Sequence, residues 1–173
     1  MFFKCLDEKY LLVMEYVEGG SLHNYLKENF SSLNWQDKCR LAFQLASAIE
    51  CLHKSGIVHN NLHPNNVLVQ QNSIKLADFG LGKRIKNTYQ ISVDTIPYND
   101  PGGFSSGKEK QLEKLKKSDI YSVGVLFWEL SSGKIPFADE EYGLSLAMEI
   151  GRGLRECVIE GTPKKYSSLY ESK

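Results

Sequence analysis

The sequence predicts a helix-dominated α+β body, and three observations carry that prediction. Apolar runs of strand length open the chain at Met1–Leu6 and Tyr10–Tyr16. A 3.6-residue periodicity then runs from Trp35 to Lys54, and Ile120–Leu130 is apolar nearly all round. A little strand followed by mostly helix is the α+β pattern. A length of 173 residues suits one domain, or part of a larger one, and is enough to enclose a hydrophobic core.

Taken in order, the two opening runs are separated by the polar Asp7-Glu8-Lys9, so they read as antiparallel strands. A lone hairpin is only marginally stable in water, so the pair needs a neighbouring sheet or helix, and the beginning reads as truncated. After Glu18-Gly19-Gly20 come short helical patterns. In Trp35–Lys54, Leu41, Leu45, Ala48, Ile49 and Leu52 fall on one face, and Ser55-Gly56 ends the helix. Val67–Val69 and Ile74–Leu76 flank the polar Gln70–Ser73 and form a small hairpin. Gly102–Lys117 is polar and lysine-rich, which predicts a solvated loop with a fraying helical turn. Ile120–Leu130 follows as a buried helix with Ser118 or Asp119 as its cap.

Lysine plus arginine equals aspartate plus glutamate at 21 each, so no bulk field favours nucleic acid or an anionic membrane. The lysine-rich stretch also holds Glu109 and Glu113 and lacks interleaved aromatics, which argues against a nucleic-acid patch. Cys5, Cys39, Cys51 and Cys157 have no C-x-x-C spacing and no signal peptide precedes them; they are expected to be reduced, packed thiols in a cytoplasmic protein. The longest apolar run, around Val123–Leu130, is far short of a bilayer span and contains a charged residue, Glu129, near its end.

The chemistry-bearing residues cluster around the small hairpin. Asp78-Phe79-Gly80 follows its second strand and Asn66 precedes its first, so pairing brings a carboxylate and an amide oxygen to one end. Hard oxygen ligands in that arrangement suit magnesium, with phosphate and water supplying the rest of the shell. In isolation Asp-Phe-Gly is better explained by an aspartate capping a turn before glycine. His59 and His63 have the i, i+4 spacing of helical zinc ligands, but no glutamate follows His59 and Pro64 breaks any shared helix. His59 is therefore expected to be a packed core histidine.

Order and spacing make the signal specific: "HNNLHPNN" before the hairpin, "DFG" after it, then "TIPYNDP" and "SDIYSVGVLFWEL". In these stretches, and in "LLVMEYVEGGSL", the chain resembles the eukaryotic protein kinase superfamily, particularly its tyrosine-kinase-like branch. The resemblance covers essentially the whole chain. It implies a remnant of the N-terminal lobe sheet and hinge in residues 1–20, and a C-terminal lobe, truncated before its last helices, in 21–173. It further implies ATP and magnesium as cofactors, bound weakly by this chain alone. Met14 would be the gatekeeper, the Glu15 carbonyl and Val17 amide would meet adenine, and Leu68, with Val67 and Val69, would floor it. Asn66 and Asp78 match the magnesium ligands, and His59 with Phe79 matches the internal stack. Asp119 matches an aspartate that hydrogen-bonds the catalytic-loop backbone, and Gly124 the small residue along that helix. Thr95 leans toward hydroxyl amino acids other than tyrosine, whereas His63, standing where that class has lysine, weakens the lean.

The departures bear on activity. The family's H-R-D is His59-Asn60-Asn61, so an amide stands where the proton-accepting aspartate belongs. A positioned base contributes about 10²–10⁴-fold, so its loss raises the barrier by roughly 3–5 kcal/mol. The glycine-rich loop, the phosphate lysine and the glutamate that holds it would all lie before Met1. The A-P-E triplet is Asp100-Pro101-Gly102, and Ile85–Phe104 is expected to be mobile. These residues imply a degenerate kinase domain, inactive as this chain: a pseudokinase with a protein partner on its helical surface, or a gene remnant. An active or slow kinase is the alternative if an upper lobe is supplied. The exposed edge of the opening sheet predicts self-association.

Overall fold

The computed structural model describes residues 2–6, 9–13, 15–79, 92–102 and 108–171. They form an α+β structure, mostly helical, with two small antiparallel sheets of two strands each. Strands β1 (Phe2–Leu6) and β2 (Lys9–Val13) pair with Phe2 opposite Val13 and Leu6 opposite Lys9. The second strand is shorter than expected: residues 15–17 carry no regular structure and lead into the Gly19-Gly20 turn. The turn residues Asp7 and Glu8, and Met14, lie outside the described residues.

Helix α1 (Leu22–Asn29) starts at Ser21, whose hydroxyl accepts the Asn24 N–H, and runs into a 3-10 turn at Phe30–Ser32. Helix α2 (Trp35–Lys54) has the bounds that periodicity predicts. A reciprocal cap opens it: the Asn34 side chain accepts the Asp37 N–H at 3.0 Å, and the Asp37 carboxylate accepts the Asn34 N–H at 3.3 Å. Leu41, Leu45 and Ile49 are buried as expected, joined by Ala42, while Ala48 and Leu52 lie half-buried at the margin.

Strands β3 (Val67–Gln70) and β4 (Ser73–Leu76) pair through a two-residue turn in which Gln71 and Asn72 have φ of 49° and 61°. That is the turn whose twist suits a hairpin, although glycine usually supplies its second residue. Helical neighbours hold it instead. The Tyr25 hydroxyl donates to Asn72 Oδ1 at 2.7 Å, and the Gln44 side chain accepts the Ile74 N–H at 2.8 Å.

A 3-10 helix at Val93–Tyr98 precedes α3 (Lys108–Ser132), α4 (Leu144–Gly151) and α5 (Lys164–Glu171). The third helix starts well before the residues expected to cap it, so Ser118 and Asp119 lie in its interior. Lysine, glutamate, glutamine and leucine are strong helix formers, and Lys116 and Glu113 pair at 2.8 Å one turn apart, so the polar stretch continues the helix instead of fraying. The main core joins Leu41, Leu45 and Ile49 of α2 to Leu126 and Leu130 of α3, with Val67 beneath and Tyr166 from α5.

Glu129, the charged residue of the apolar run, is buried at 2% exposure. One expectation about side chains is corrected, that of the thiols. Cys39, Cys51 and Cys157 are exposed, unbridged thiols rather than packed ones. Among the described residues no helix is long and apolar enough to cross a membrane.

Candidate functional site

The loop from Ile57 to Asn66, between α2 and β3, is held by one buried carboxylate. Asp119 Oδ2 accepts the His59 N–H and Oδ1 accepts the Asn60 N–H, each at 2.8 Å, and His53 Nε2 lies 2.8 Å from Oδ2. Asp119 is 1% exposed, so these contacts replace the water it has lost. The clamp also fixes Asn60 at a φ of 60°, a left-handed conformation that asparagine tolerates better than most residues. The capping role is excluded, and the alternative expectation for Asp119, a clamp on this loop, is what the geometry shows. His59 is a packed core histidine at 1% exposure, edge-on to Phe79 with ring centroids 6.4 Å apart. Burial holds its pKa below the ordinary value, with the Asp119 charge opposing.

The clamped loop delivers its last residues to the end of the hairpin. Val67 pairs with Leu76, and Ala77 donates its N–H to the Asn66 carbonyl at 2.9 Å, so residue 66 sits across from 77 and beside Asp78. The Asn66 side chain is nearly buried, and its Nδ2 donates to the Asn61 carbonyl at 2.9 Å and lies 3.0 Å from His63 Nε2. Asp78 is exposed, with φ of 58°. Burial lowers the His63 pKa, and the Asp78 charge opposes that shift. Asn61, His63, Asn66 and Asp78 are thus gathered in one place.

The donor set suits a hard cation. With the His63 ring proton on Nδ1, both hydrogens of the Asn66 amide nitrogen have acceptors, which leaves Oδ1 as its available atom, and the Asp78 carboxylate is open to solvent. Two such oxygens are what magnesium takes from protein when phosphate and water complete its shell. Among the described residues no group of three or more His, Cys, Asp or Glu could hold a metal.

The side expected to meet adenine is assembled by main chain. Gly20 accepts the Val69 N–H at 2.9 Å, and Ser21 bridges Leu68, so the segment after β2 runs along the hairpin. Gly19 is required there, since a Cβ would lie 1.8 Å from the Val69 carbonyl oxygen. Glu15 pairs with Lys75 at 2.6 Å, and the Val17 carbonyl accepts the Gly20 N–H at 3.3 Å. Glu15, Val17 and Leu68 are therefore brought to one side of the hairpin. The expected apolar floor is narrower than three residues. Strand alternation turns Val67 and Val69 into the core at 0% and 1% exposure, leaving Leu68 on the opposite face. A cavity of about 510 Å³ between α2 and α3, lined by Ile49, His53 and Ile120 among others, meets the Asp119 clamp through His53 but includes none of Asn61, His63, Asn66, Leu68 or Asp78.

Other expected participants lie apart. Thr95 Oγ1 donates to the Ser92 carbonyl at 2.8 Å and is approached by Asn99 Nδ2 at 3.4 Å, so it is tied within its own turn. Asp100 accepts the Gly102 N–H at 2.8 Å in a local turn. Gly124 has the Tyr170 Cβ 3.9 Å from where its own would be, an ordinary van der Waals distance that leaves room for a methyl group. Met14 and Gly80 lie outside the described residues, as do 85–91 and 103–104 of the segment expected to be mobile. Its described part is anchored. The Tyr98 hydroxyl donates to Glu129 at 2.9 Å, and Ser122 Oγ donates to the Tyr98 carbonyl at 2.7 Å. Sequence reasoning missed this tie, and its one signal was a glutamate within an otherwise apolar helix. It also missed His53 beside Asp119, for which no pattern gave notice.

The family model for the protein kinase domain matches residues 2–168, and the chain belongs to that family. It is 33% identical over 152 residues to the serine/threonine-protein kinase PrkC of Bacillus subtilis, covering 83% of this chain and 22% of the relative. It is 38% identical over 133 residues to the LEAF RUST 10 disease-resistance locus receptor-like protein kinase-like 1.2 of Arabidopsis thaliana, covering 75% of this chain and 20% of the relative. A putative mitogen-activated protein kinase kinase kinase 7-like protein of Drosophila melanogaster is 30% identical over 193 residues, covering 95% of this chain and 47% of the relative. The chain thus spans between a fifth and a half of the length of these relatives.

Proposed function

We propose that this chain is a pseudokinase of the tyrosine-kinase-like branch: a kinase-family domain that keeps the frame for adenine nucleotide and magnesium but transfers no phosphate as these 173 residues. The observation that carries the reading is Asn61. The Asp119 clamp delivers the loop to the site, yet the side chain at the proton-accepting position is a carboxamide. An amide oxygen accepts a hydrogen bond and orients a hydroxyl, but it has no useful basicity at neutral pH, so the hydroxyl proton has nowhere to go. His63 does not take over that role, because its Nε2 faces Asn66.

In this reading magnesium, when bound, screens the phosphate charge, while Asn66 Oδ1 and the Asp78 carboxylate hold it. Leu68 and the main chain of Glu15 and Val17 meet the adenine. Binding by this chain alone is weak, because it offers one wall to the nucleotide. The remaining role is recognition, with the helical surface presented to a protein partner.

A second reading, a slow kinase acting on serine or threonine when an upper lobe is supplied, draws on two things: the intact loop clamp, and relatives named as serine/threonine kinases. Labelled ATP with magnesium and a generic protein acceptor separates the two. The polypeptide is expected to transfer no more label than its Asp78→Ala variant, and transfer clearly above that control would overturn the inactive reading.

A further inference from the structure

We infer that His63 is a positioning residue of the cation site: its Nε2 locks the Asn66 carboxamide so that Oδ1, not Nδ2, is offered to a divalent cation. The inference rests on the reading of Asn66 and Asp78 as cation ligands. A carboxamide has two ends of nearly the same shape, one an acceptor and the other a double donor, and only the acceptor end can ligate a cation. At Asn66 the nitrogen faces two acceptors, the Asn61 carbonyl at 2.9 Å and His63 Nε2 at 3.0 Å. The carbonyl cannot donate, so it fixes which end is nitrogen. His63 takes the second N–H and stops the group from swinging.

The imidazole is itself well placed to do this. The Asn66 main-chain N–H donates to the His63 carbonyl at 2.9 Å, so the two residues are joined through both main chain and side chain. Leu62 and Pro64 on either side are buried, which fixes the ring's starting point. The contact needs a bare Nε2, with the ring proton on Nδ1. A lysine at this position would present only donors, and an alanine would present nothing.

Partners that orient a metal ligand typically matter by about 10–100-fold in metal affinity. The test is a titration of the full chain with Mn²⁺ alone, following the free-ion electron paramagnetic resonance signal. It compares the wild type with Asp78→Ala, His63→Ala, His63→Lys and His63→Gln, and thermal unfolding checks that each is folded. His63→Gln keeps an acceptor oxygen and should stay within about threefold of the wild type, whereas His63→Ala and His63→Lys should weaken Mn²⁺ by roughly 10–100-fold. If His63→Ala fails to fold, the Gln and Lys variants decide. Wild-type affinity in His63→Lys, or equal weakening in the Gln and Lys variants, would overturn the inference while leaving the cation site standing. Wild-type binding no tighter than that of Asp78→Ala would overturn the cation site and the inference together.

Discussion

Asp119 sits inside α3 with both carboxylate oxygens engaged, at 1% exposure, and two of its partners are main-chain N–H groups of the candidate catalytic loop. Asp119→Ala would strand those groups, each at a cost of about 1–3 kcal/mol when left buried without a partner. Urea unfolding should therefore show a loss of about 3 kcal/mol, with Asp119→Asn losing roughly half as much because one acceptor oxygen remains. A change below about 0.5 kcal/mol in the alanine variant, the size of an ordinary surface substitution, would contradict the clamp. At this scale the sequence was legible where chemistry had one outlet. His59 had no workable zinc geometry, and it is packed. Asp119 had two outlets, because a carboxylate accepts N–H groups equally well at a helix start and from a loop packed against a helix, and only the family resemblance chose the second. The thiols were misjudged on residue type alone. Cys39 lies about 200° around α2 from Leu41, so periodicity already turned it outward.

Among the elements, α3 does the most to organise the fold, since it carries Asp119 toward the loop and Glu129 toward the 3-10 helix at Val93–Tyr98. Burial pushes the Glu129 carboxyl from its ordinary 4.5 up to about 7, with the Tyr98 hydroxyl opposing the shift. A carboxyl that holds its proton more tightly when folded stabilises the fold most at and below pH 4.5, and that contribution is lost as pH rises through 7. The size of the loss is about 3 kcal/mol. His59 acts in the opposite sense: its lowered pKa gives stability that is present above its ordinary 6.5 and is lost as pH falls through the folded value. Comparing the wild type with Glu129→Gln isolates the carboxyl, because both retain His59. From pH 5 to pH 8 the variant should gain about 2–3 kcal/mol on the wild type in urea unfolding. A constant difference between them would mean that Glu129 ionises without hindrance. The extent of α2 was legible because its apolar face and the terminal Ser55-Gly56 agreed. The start of α3 was not, because the polar residues before its apolar run are helix formers that extend it past Ser118 and Asp119.

For the whole molecule, the α+β class was legible from periodicity, and the place of the candidate site from the order of its motifs, because both are written in local sequence. The Asn61–His63–Asn66 arrangement and the tie from Tyr98 to Glu129 were not, since they depend on which side chains meet once the loop and α3 are packed. The opening sheet has two strands among the described residues, so it presents two strand edges, and unpaired edges invite association. The 173-residue polypeptide is expected to self-associate and to become more monomeric when residues 1–10 are deleted. Light scattering on both forms checks this, and a monodisperse, monomeric intact chain would show that the edges are already covered.

The central claim is that this domain keeps the frame of a phosphotransfer site around an amide that cannot accept the proton. Its most direct test supplies what these residues do not carry. A complete phosphate-binding lobe from an active relative is fused ahead of Phe2, and transfer from ATP is compared with and without Asn61→Asp. The account predicts that the substitution raises turnover of the fusion by about 10²–10⁴-fold, the contribution of a positioned general base, and leaves the 173-residue polypeptide inactive. Equal turnover in the two fusions would contradict it, because Asn61 would then not stand at the position where the proton is taken.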